Sequence, residues 1–223
     1  MRLTHYGKDV LIKVFIVGII FSMLSIFIHN VFFKFLFAGL TIFLWLFSLY
    51  FFRDPERKLP QDYKENQIIS PGDGKIVVIE DVINKEKNLF EKDEPLKQIS
   101  IFLSPLNVHV NRIPMNGIVK YLKYINGEYL VAFNHKASEK NERSVIGLVT
   151  EASNQKVLFK QRDGFIARRI VYDLNEGSKV KAGERFGMIK FGSRVDILIK
   201  RDSRIFVTME QKVTGGETII AEL

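Results

Sequence analysis

Lys179-Val180-Lys181-Ala182-Gly183-Glu184-Arg185-Phe186-Gly187-Met188-Ile189-Lys190-Phe191-Gly192-Ser193-Arg194-Val195-Asp196 is the stretch on which the fold turns. Its first six residues are echoed by Lys212-Val213-Thr214-Gly215-Gly216-Glu217, and an apolar run follows each copy. A Gly turn repeated ahead of a Val- and Ile-rich run marks stacked hairpins, since Gly takes φ > 0 without steric cost and β-branched residues favour extended backbone. Gly192-Ser193 lies between two such β-like runs and reads first as a tight turn. The same pair also allows a self-cleaving peptide bond, in which the Ser193 hydroxyl attacks the Gly192 carbonyl with no side chain in the way. The rest of the chain decides between them.

Working outward, short runs rich in Val, Ile and Phe alternate with turn residues from Ile68 onward. Residues 76–79, 99–103, 166–172, 195–199 and 205–208 are the expected strands. Gly72-Asp73-Gly74, Asn116-Gly117, Asn126-Gly127, Asp163-Gly164 and Gly215-Gly216 punctuate them. Helical periodicity in this part is confined to residues 135–143. The expected fold is mainly β, a sandwich or barrel that resembles the lipoyl and biotinyl carrier domains.

Upstream the chain changes character. Residues 14–28 read VFIVGIIFSMLSIFI and residues 31–52 read VFFKFLFAGLTIFLWLFSLYFF, with only His29-Asn30 between them. The second has the length of a bilayer span, and the first reaches one if it starts near Val10 with Lys13 snorkelling to the headgroups. A cleaved signal peptide has one short apolar core and a small-residue cleavage site, which two runs back to back do not match. Residues 1–52 are therefore expected to form a helical membrane hairpin, spanning the bilayer or dipping into it. Arg2, Lys8 and Lys13 flank one end and Arg53, Arg57 and Lys58 the other, so the positive-inside rule puts both ends in the cytoplasm. Residues 53–67, charged and punctuated by Pro, read as a linker, and residues 68–223 as a soluble domain.

The 223 residues carry a net charge of +8, which suits an anionic membrane surface, nucleic acid or an acidic ligand without choosing among them. The absence of Cys excludes disulfides, thiolate nucleophiles and Cys-based metal sites. No H-E-x-x-H, Walker, G-x-G-x-x-G or G-x-S-x-G pattern occurs, so metal, nucleotide and conventional serine-hydrolase chemistry find no support. The soluble part holds two histidines, His109 and His135, both among turn signals; each is either a structural imidazole or a proton carrier. Asp73 is either a turn carboxylate or the orienting partner of a histidine. Arg112, Arg143, Arg168, Arg169 and Arg194 read as solvated surface charges, any of which can meet a phosphate.

Several stretches together resemble one family, the phosphatidylserine decarboxylase proenzymes, and in particular their short form. The likeness starts at Phe51-Phe52-Arg53-Asp54-Pro55 and takes in Ser70-Pro71-Gly72-Asp73-Gly74. It continues through Leu103-Ser104-Pro105-Leu106-Asn107-Val108-His109-Val110-Asn111-Arg112-Ile113-Pro114 and Phe133-Asn134-His135-Lys136-Ala137-Ser138 with Asn141-Glu142-Arg143, and it ends in Phe191-Gly192-Ser193-Arg194-Val195-Asp196. Each motif alone is weak. Five in order behind an apolar hairpin are specific, and they displace the turn-only reading of Gly192-Ser193.

The resemblance implies an enzyme of phospholipid biosynthesis that decarboxylates phosphatidylserine to phosphatidylethanolamine at the cell membrane, with no nucleic acid partner. Ser193 would cleave the chain after Gly192, giving a β chain of residues 1–192 and an α chain of residues 193–223. The α chain would begin with a covalent pyruvoyl cofactor made from Ser193. The headgroup amine would form a Schiff base with the pyruvoyl carbonyl, which then takes up the electrons left as carbon dioxide departs. By the same likeness His109 matches a histidine that acts in the reaction, and Asp73 an aspartate associated with self-cleavage. The long bacterial enzymes carry a second histidine three positions after the first, where this chain has Arg112, so the maturation base is His109 itself or His135. Other readings are a membrane-anchored carrier or adaptor, a decarboxylase of a related serine phospholipid, or a pyruvoyl enzyme for a soluble amino acid. A carrier needs a lysine at a hairpin tip, which Ile189-Lys190-Phe191 does not match, and the last has no use for residues 14–52. The reading is compatible with a homo-oligomer.

Overall fold

The computed structural model describes residues 2–85, 87–127, 142–151, 153–163, 169–190 and 193–223, and it divides after Pro55 into two units. The first is a hairpin of α1 (Lys8–Phe27) and α2 (Val31–Phe51). Asn30 caps α2, its Oδ1 accepting from Phe32 N at 3.0 Å. The helices meet where Gly18 lies flat against Trp45, a spot that any Cβ would fill, while Phe15 stacks on Trp45 at 5.0 Å. Thr4 N donates to Phe52 O at 2.9 Å and Asp54 N to Arg2 O at 2.8 Å, clasping the base. Both helices are long and apolar enough to cross a membrane, and Phe27, Phe32, Phe35 and Leu46 stand exposed on their outer faces.

The second unit, from Glu56 to Leu223, is built of strands. These are β1 (Gln67–Ile69), β2 (Gly74–Ile83), β3 (Pro95–Leu103), β4 (Val110–Arg112), β5 (Gly117–Ile125), β6 (Arg143–Val149) and β7 (Lys156–Asp163). Then follow β8 (Arg169–Tyr172), β9 (Lys179–Val180), β10 (Arg185–Lys190), β11 (Ser193–Lys200), β12 (Arg204–Ile205), β13 (Lys212–Val213) and β14 (Ile219–Glu222). Eight form one curled sheet, a half-barrel, in the order β13-β2-β3-β11-β7-β6-β5-β9. Two small sheets, β1-β14-β12 and β4-β10-β8, pack against its inner face. The mainly β expectation holds. The expected strand at 205–208 ends at Ile205, however, and of 166–172 only β8 falls among the described residues. Residues 135–141 lie outside them too, and Arg143 opens a strand rather than closing a helix.

The echo in the sequence is a structural repeat. β9 and β13 lie at opposite edges of the large sheet, with Val180 opposite Gly117 and Val213 opposite Gly74. Gly183 (φ 81°) and Gly216 (φ 80°) make the same left-handed turn. Gly183 N donates to Ile113 O at 2.9 Å, as Gly216 N does to Ser70 O at 2.8 Å. Asn116 Oδ1 accepts from Ala182 N at 2.9 Å, as Asp73 Oδ1 does from Gly215 N at 2.8 Å. Asp73 and Asn116 therefore occupy equivalent places in two related halves.

Alternation along the strands gives the large sheet two buried faces. Ile99, Ile101, Phe159, Val195 and Ile197 fill the inner one, where Phe159 meets Phe186 edge-on at 5.4 Å. Each such side chain contributes about 1.5–3 kcal/mol. On the outer face Leu96, Leu158 and Leu198 join Phe90 and Val145 in a smaller cluster, beside the polar groups described below.

Candidate active site

Ser193 opens β11, with Leu103 of β3 on one side and Asp163 of β7 on the other. β10 ends at Lys190 in a small sheet, between β4 and β8, whereas β11 starts in the large one. The strands flanking Phe191-Gly192 are not partners, so the hairpin turn first read from the Gly-Ser step is not made here. This connection instead carries the chain from one sheet to another. Phe191 and Gly192 themselves lie outside the described residues, as does His135.

His109 stands on the loop that follows Leu103, the cross-strand neighbour of Ser193. Ser104 N donates to Asn107 Oδ1 at 2.8 Å and Asn107 N to Ser104 O at 2.9 Å, so the loop is a closed turn. The imidazole is fully buried, with Nδ1 3.0 Å from the Asn107 carbonyl oxygen. A carbonyl only accepts, so Nδ1 carries the proton and Nε2 is the accepting nitrogen of the neutral ring.

Asp73 sits at the turn before β2. Its Oδ2 accepts from Arg57 Nη2 at 3.0 Å, and Arg57 also reaches Glu217 at 3.2 Å. Arg112 donates from Nη1 to Gly183 O at 2.9 Å, pinning one of the repeated turns. A guanidinium stays protonated, so Arg112 cannot replace the base that a histidine would supply there. Glu142, fully enclosed, accepts from Tyr124 Oη and from Ile170 N, joining β5 to β8. Lys190 is 4% exposed, unlike the tip lysine a carrier displays.

Three residues that the sequence did not single out form a buried chain. Ser144 Oγ donates to Gln161 Oε1 at 2.7 Å, and Gln161 Nε2 donates to Asn111 Oδ1 at 2.7 Å. Ser144 thereby fixes the amide orientation of Gln161, and Gln161 that of Asn111, which presents Nδ2 as a fully buried donor with no acceptor among the described residues. A Cβ on Gly72 would lie 3.1 Å from that nitrogen and 3.3 Å from Leu103 Cδ2, which puts the donor near the strand end that Ser193 shares. The available signal was alternation: Gln161 follows Val157 and Phe159 on the inward side of β7, and Ser144 precedes Ile146 and Leu148 on that of β6.

The arginines also need correcting. Arg112 and Arg194, expected to be solvated, are 5% and 7% exposed, and Arg143 is half-buried. Arg168 lies outside the described residues, and of Arg169 only the strand position is described. Arg194 grips the fully buried Asp196 with Nε at 2.6 Å and Nη2 at 3.2 Å, and Arg162 Nε approaches from the next strand at 2.5 Å. Burial alone would raise the Asp196 carboxyl, but Arg162 and Arg194, with hydrogen bonds from Arg194 and Ser100, hold it below the usual carboxylate range.

A profile of the phosphatidylserine decarboxylase family matches residues 44–221. Three similar proteins are each named phosphatidylserine decarboxylase proenzyme. That of Cytophaga hutchinsonii is 47% identical over 183 residues, 82% of this chain and 80% of its own. That of Salinibacter ruber is 48% identical over 177 residues, 79% and 76% of the two chains. That of Chlorobaculum tepidum is 41% identical over 227 residues, 100% and 98%. These matches make the chain, a half-barrel domain preceded in sequence by an apolar helical hairpin, a lyase of the decarboxylase class. Within that class, the chain belongs to the phosphatidylserine decarboxylase family.

Proposed function

We propose that this chain converts phosphatidylserine to phosphatidylethanolamine in phospholipid biosynthesis, using a pyruvoyl group made from its own Ser193. The observation that carries the reading is the place of Ser193, at the head of a central strand and directly after a connection between two sheets. Ser193 Oγ adds to the Gly192 carbonyl carbon and the peptide C–N bond breaks, leaving an ester on oxygen and a free amine on Ser193. Loss of the Ser193 α-proton expels the Gly192 carboxylate and leaves dehydroalanine, and water then replaces nitrogen as ammonia departs. The α chain stays seated after the break, because β11 is laddered to β3 and β7, β13 to β2, and β14 to β1.

The surroundings fit a ketone at this point: Asn111 Nδ2 is a fixed, buried donor suited to a carbonyl oxygen. The ketone supplies an electron sink for the pair that carbon dioxide leaves behind. His109 Nε2 moves the proton, taking it up and delivering it to the substrate carbon, while Nδ1 stays tied to Asn107. Asp73, anchored by Arg57, serves self-cleavage, with His135 as the second candidate for the maturation base. The hairpin holds the enzyme in the cell membrane with both ends cytoplasmic, and residues 53–67 lead from it to the catalytic domain.

Mass spectrometry of the denatured protein tests this. A fragment of residues 193–223, lighter than its encoded mass by one ammonia, is the expected result. An intact chain, or that fragment at its full encoded mass, overturns the proposal.

A further inference from the structure

The polar chain on the inner face of the large sheet has one open end. Ser144 on β6, Gln161 on β7 and Asn111 on β4 are each fully buried. Ser144 and Gln161 are in register, and the hydroxyl donates to Oε1 at 2.7 Å. Gln161 then reaches from the half-barrel to the small sheet, its Nε2 donating to Asn111 Oδ1 at 2.7 Å. A tie made only to hold two sheets together closes at both ends, because a buried donor left without an acceptor is costly. This one closes at Ser144 and leaves Asn111 Nδ2 with no acceptor among the described residues. The open end lies on the side of the reacting residue. Gln161 is opposite Val195, and Asp163, two residues further along β7, is opposite Ser193. A two-residue step keeps the face of a strand, so Gln161 shares the inner face with position 193 and is its diagonal neighbour, ~7–8 Å away. Leu103, the other register partner of Ser193, and Asn111 Nδ2 both border the spot where a Cβ on Gly72 would stand, at 3.3 and 3.1 Å.

We infer that Gln161 is a positioning residue of the decarboxylase: it holds the Asn111 amide with Nδ2, rather than Oδ1, toward the ketone proposed at residue 193. The inference rests on the proposed function. An amide has a donor end and an acceptor end of nearly equal size, so shape cannot choose between them and the partner behind must. Gln161 offers Asn111 an N–H, which only Oδ1 can accept, and Nδ2 is thereby aimed the other way. Val195 and Ser144, which flank Gln161 on β11 and β6, are uncharged, so hydrogen bonds alone set this direction. Charge developing on a carbonyl oxygen is then met by a donor fixed in advance.

The test uses full-length protein in detergent micelles, labelled with serine that carries carbon-13 at Cα, so that NMR reads the ketone carbon of residue 193 without turnover. Gln161→Glu and Ser144→Ala are compared with wild type. The ionised carboxylate of Gln161→Glu only accepts: it takes the Ser144 hydroxyl and the Asn111 N–H, and turns Oδ1 toward the ketone. Protonated, it donates to Asn111 Oδ1 and restores the wild-type arrangement. Burial lifts this carboxyl above its ordinary value of about 4.3. Once it ionises, the ketone carbon is expected to move upfield and kcat for phosphatidylserine to fall about a hundredfold. Both are expected to return toward wild type as the pH is lowered, and wild type measured alongside carries the titration of His109. Ser144→Ala removes the bond that orients Gln161 and adds no charge, so a smaller upfield shift is expected at every pH. Absence of a ketone resonance in wild type overturns the proposed function, and this role with it. A wild-type ketone resonance that stays in place in both variants, or in Ser144→Ala where Gln161→Glu is not cleaved, overturns the role and leaves the proposed function standing. Loss of β-sheet circular dichroism in step with the shift overturns it in favour of a tie between the two sheets.

Discussion

The repeat makes Asp73 divisible by experiment. Its Oδ1 closes a turn that Asn116 closes in the other half with a neutral amide, at 2.8 Å against 2.9 Å. The carboxylate charge is therefore dispensable for the turn, and the negative Oδ2 engages Arg57 instead. Asp73→Asn keeps the bond from Gly215 N and loses the ion pair, whose side chains are 20% and 17% exposed, for a loss of about 1 kcal/mol. Asp73→Ala loses the pair and also strands the buried Gly215 N–H, adding about 1–3 kcal/mol. Stability is to be measured in a Ser193→Ala background, so that every chain is uncut, by denaturant titration of the β-sheet circular dichroism. Trp45, the single tryptophan, lies in α2 and does not report on this unit. Asn is expected to fall close to the parent and Ala well below it. With Ser193 restored, Asp73→Asn is expected to slow self-cleavage about a hundredfold or more, read as the fraction of split chain over time. Equal destabilisation by Asn and Ala would refute the equivalence of the two turns. Normal cleavage in Asp73→Asn would remove the carboxylate from maturation.

Asn111→Asp keeps an oxygen for Gln161 but turns the buried donor into an acceptor. Folded, cleaved protein with kcat lowered about a hundredfold is expected, and full activity would dismiss the donor. Asp196→Asn leaves two enclosed guanidiniums without a charge between them, and is expected to lower stability by about 3–5 kcal/mol in denaturant titration. Because the folded Asp196 carboxyl lies below its unfolded value of about 3.9, its contribution is present above that pH and is lost as pH falls through the folded value. The variant should therefore lack that acid-sensitive component, and an unchanged acid-unfolding profile would refute it.

The sequence made the hairpin legible because two runs of apolar residues admit few other structures, and it made the β class legible because turn chemistry recurs around Val- and Ile-rich runs. It hid β5 and β7, since Lys120, Lys123, Lys160 and Arg162 interrupt the apolar pattern. The cause is a sheet with two buried faces, one of which carries ionic groups. Asp196 compensates arginines on its own strand and the next, so a residue that reads as solvated is enclosed. Asn111 and Gln161, fifty residues apart, meet only through the fold, and no local pattern announces that their amides are joined. The Gly-Ser step misleads in another way: it has the composition of a turn, yet its flanking strands belong to different sheets.

That topology bears on how a chain cut here, as proposed, would keep its shape. A cut within a hairpin frees a loop, whereas a cut between β10 and β11 severs a link between sheets whose strands are each held by other partners. β10 is paired with β4 and β8, and β11 with β3 along its whole length, from Ser193 opposite Leu103 to Lys200 opposite Leu96. The same ladders would fix the N-terminus left by the proposed cut at Leu103, the residue from which the chain runs into the loop bearing His109. Holding the proposed fragment and aiming its first residue would thus be one structural task, which the β11–β3 register is built to perform.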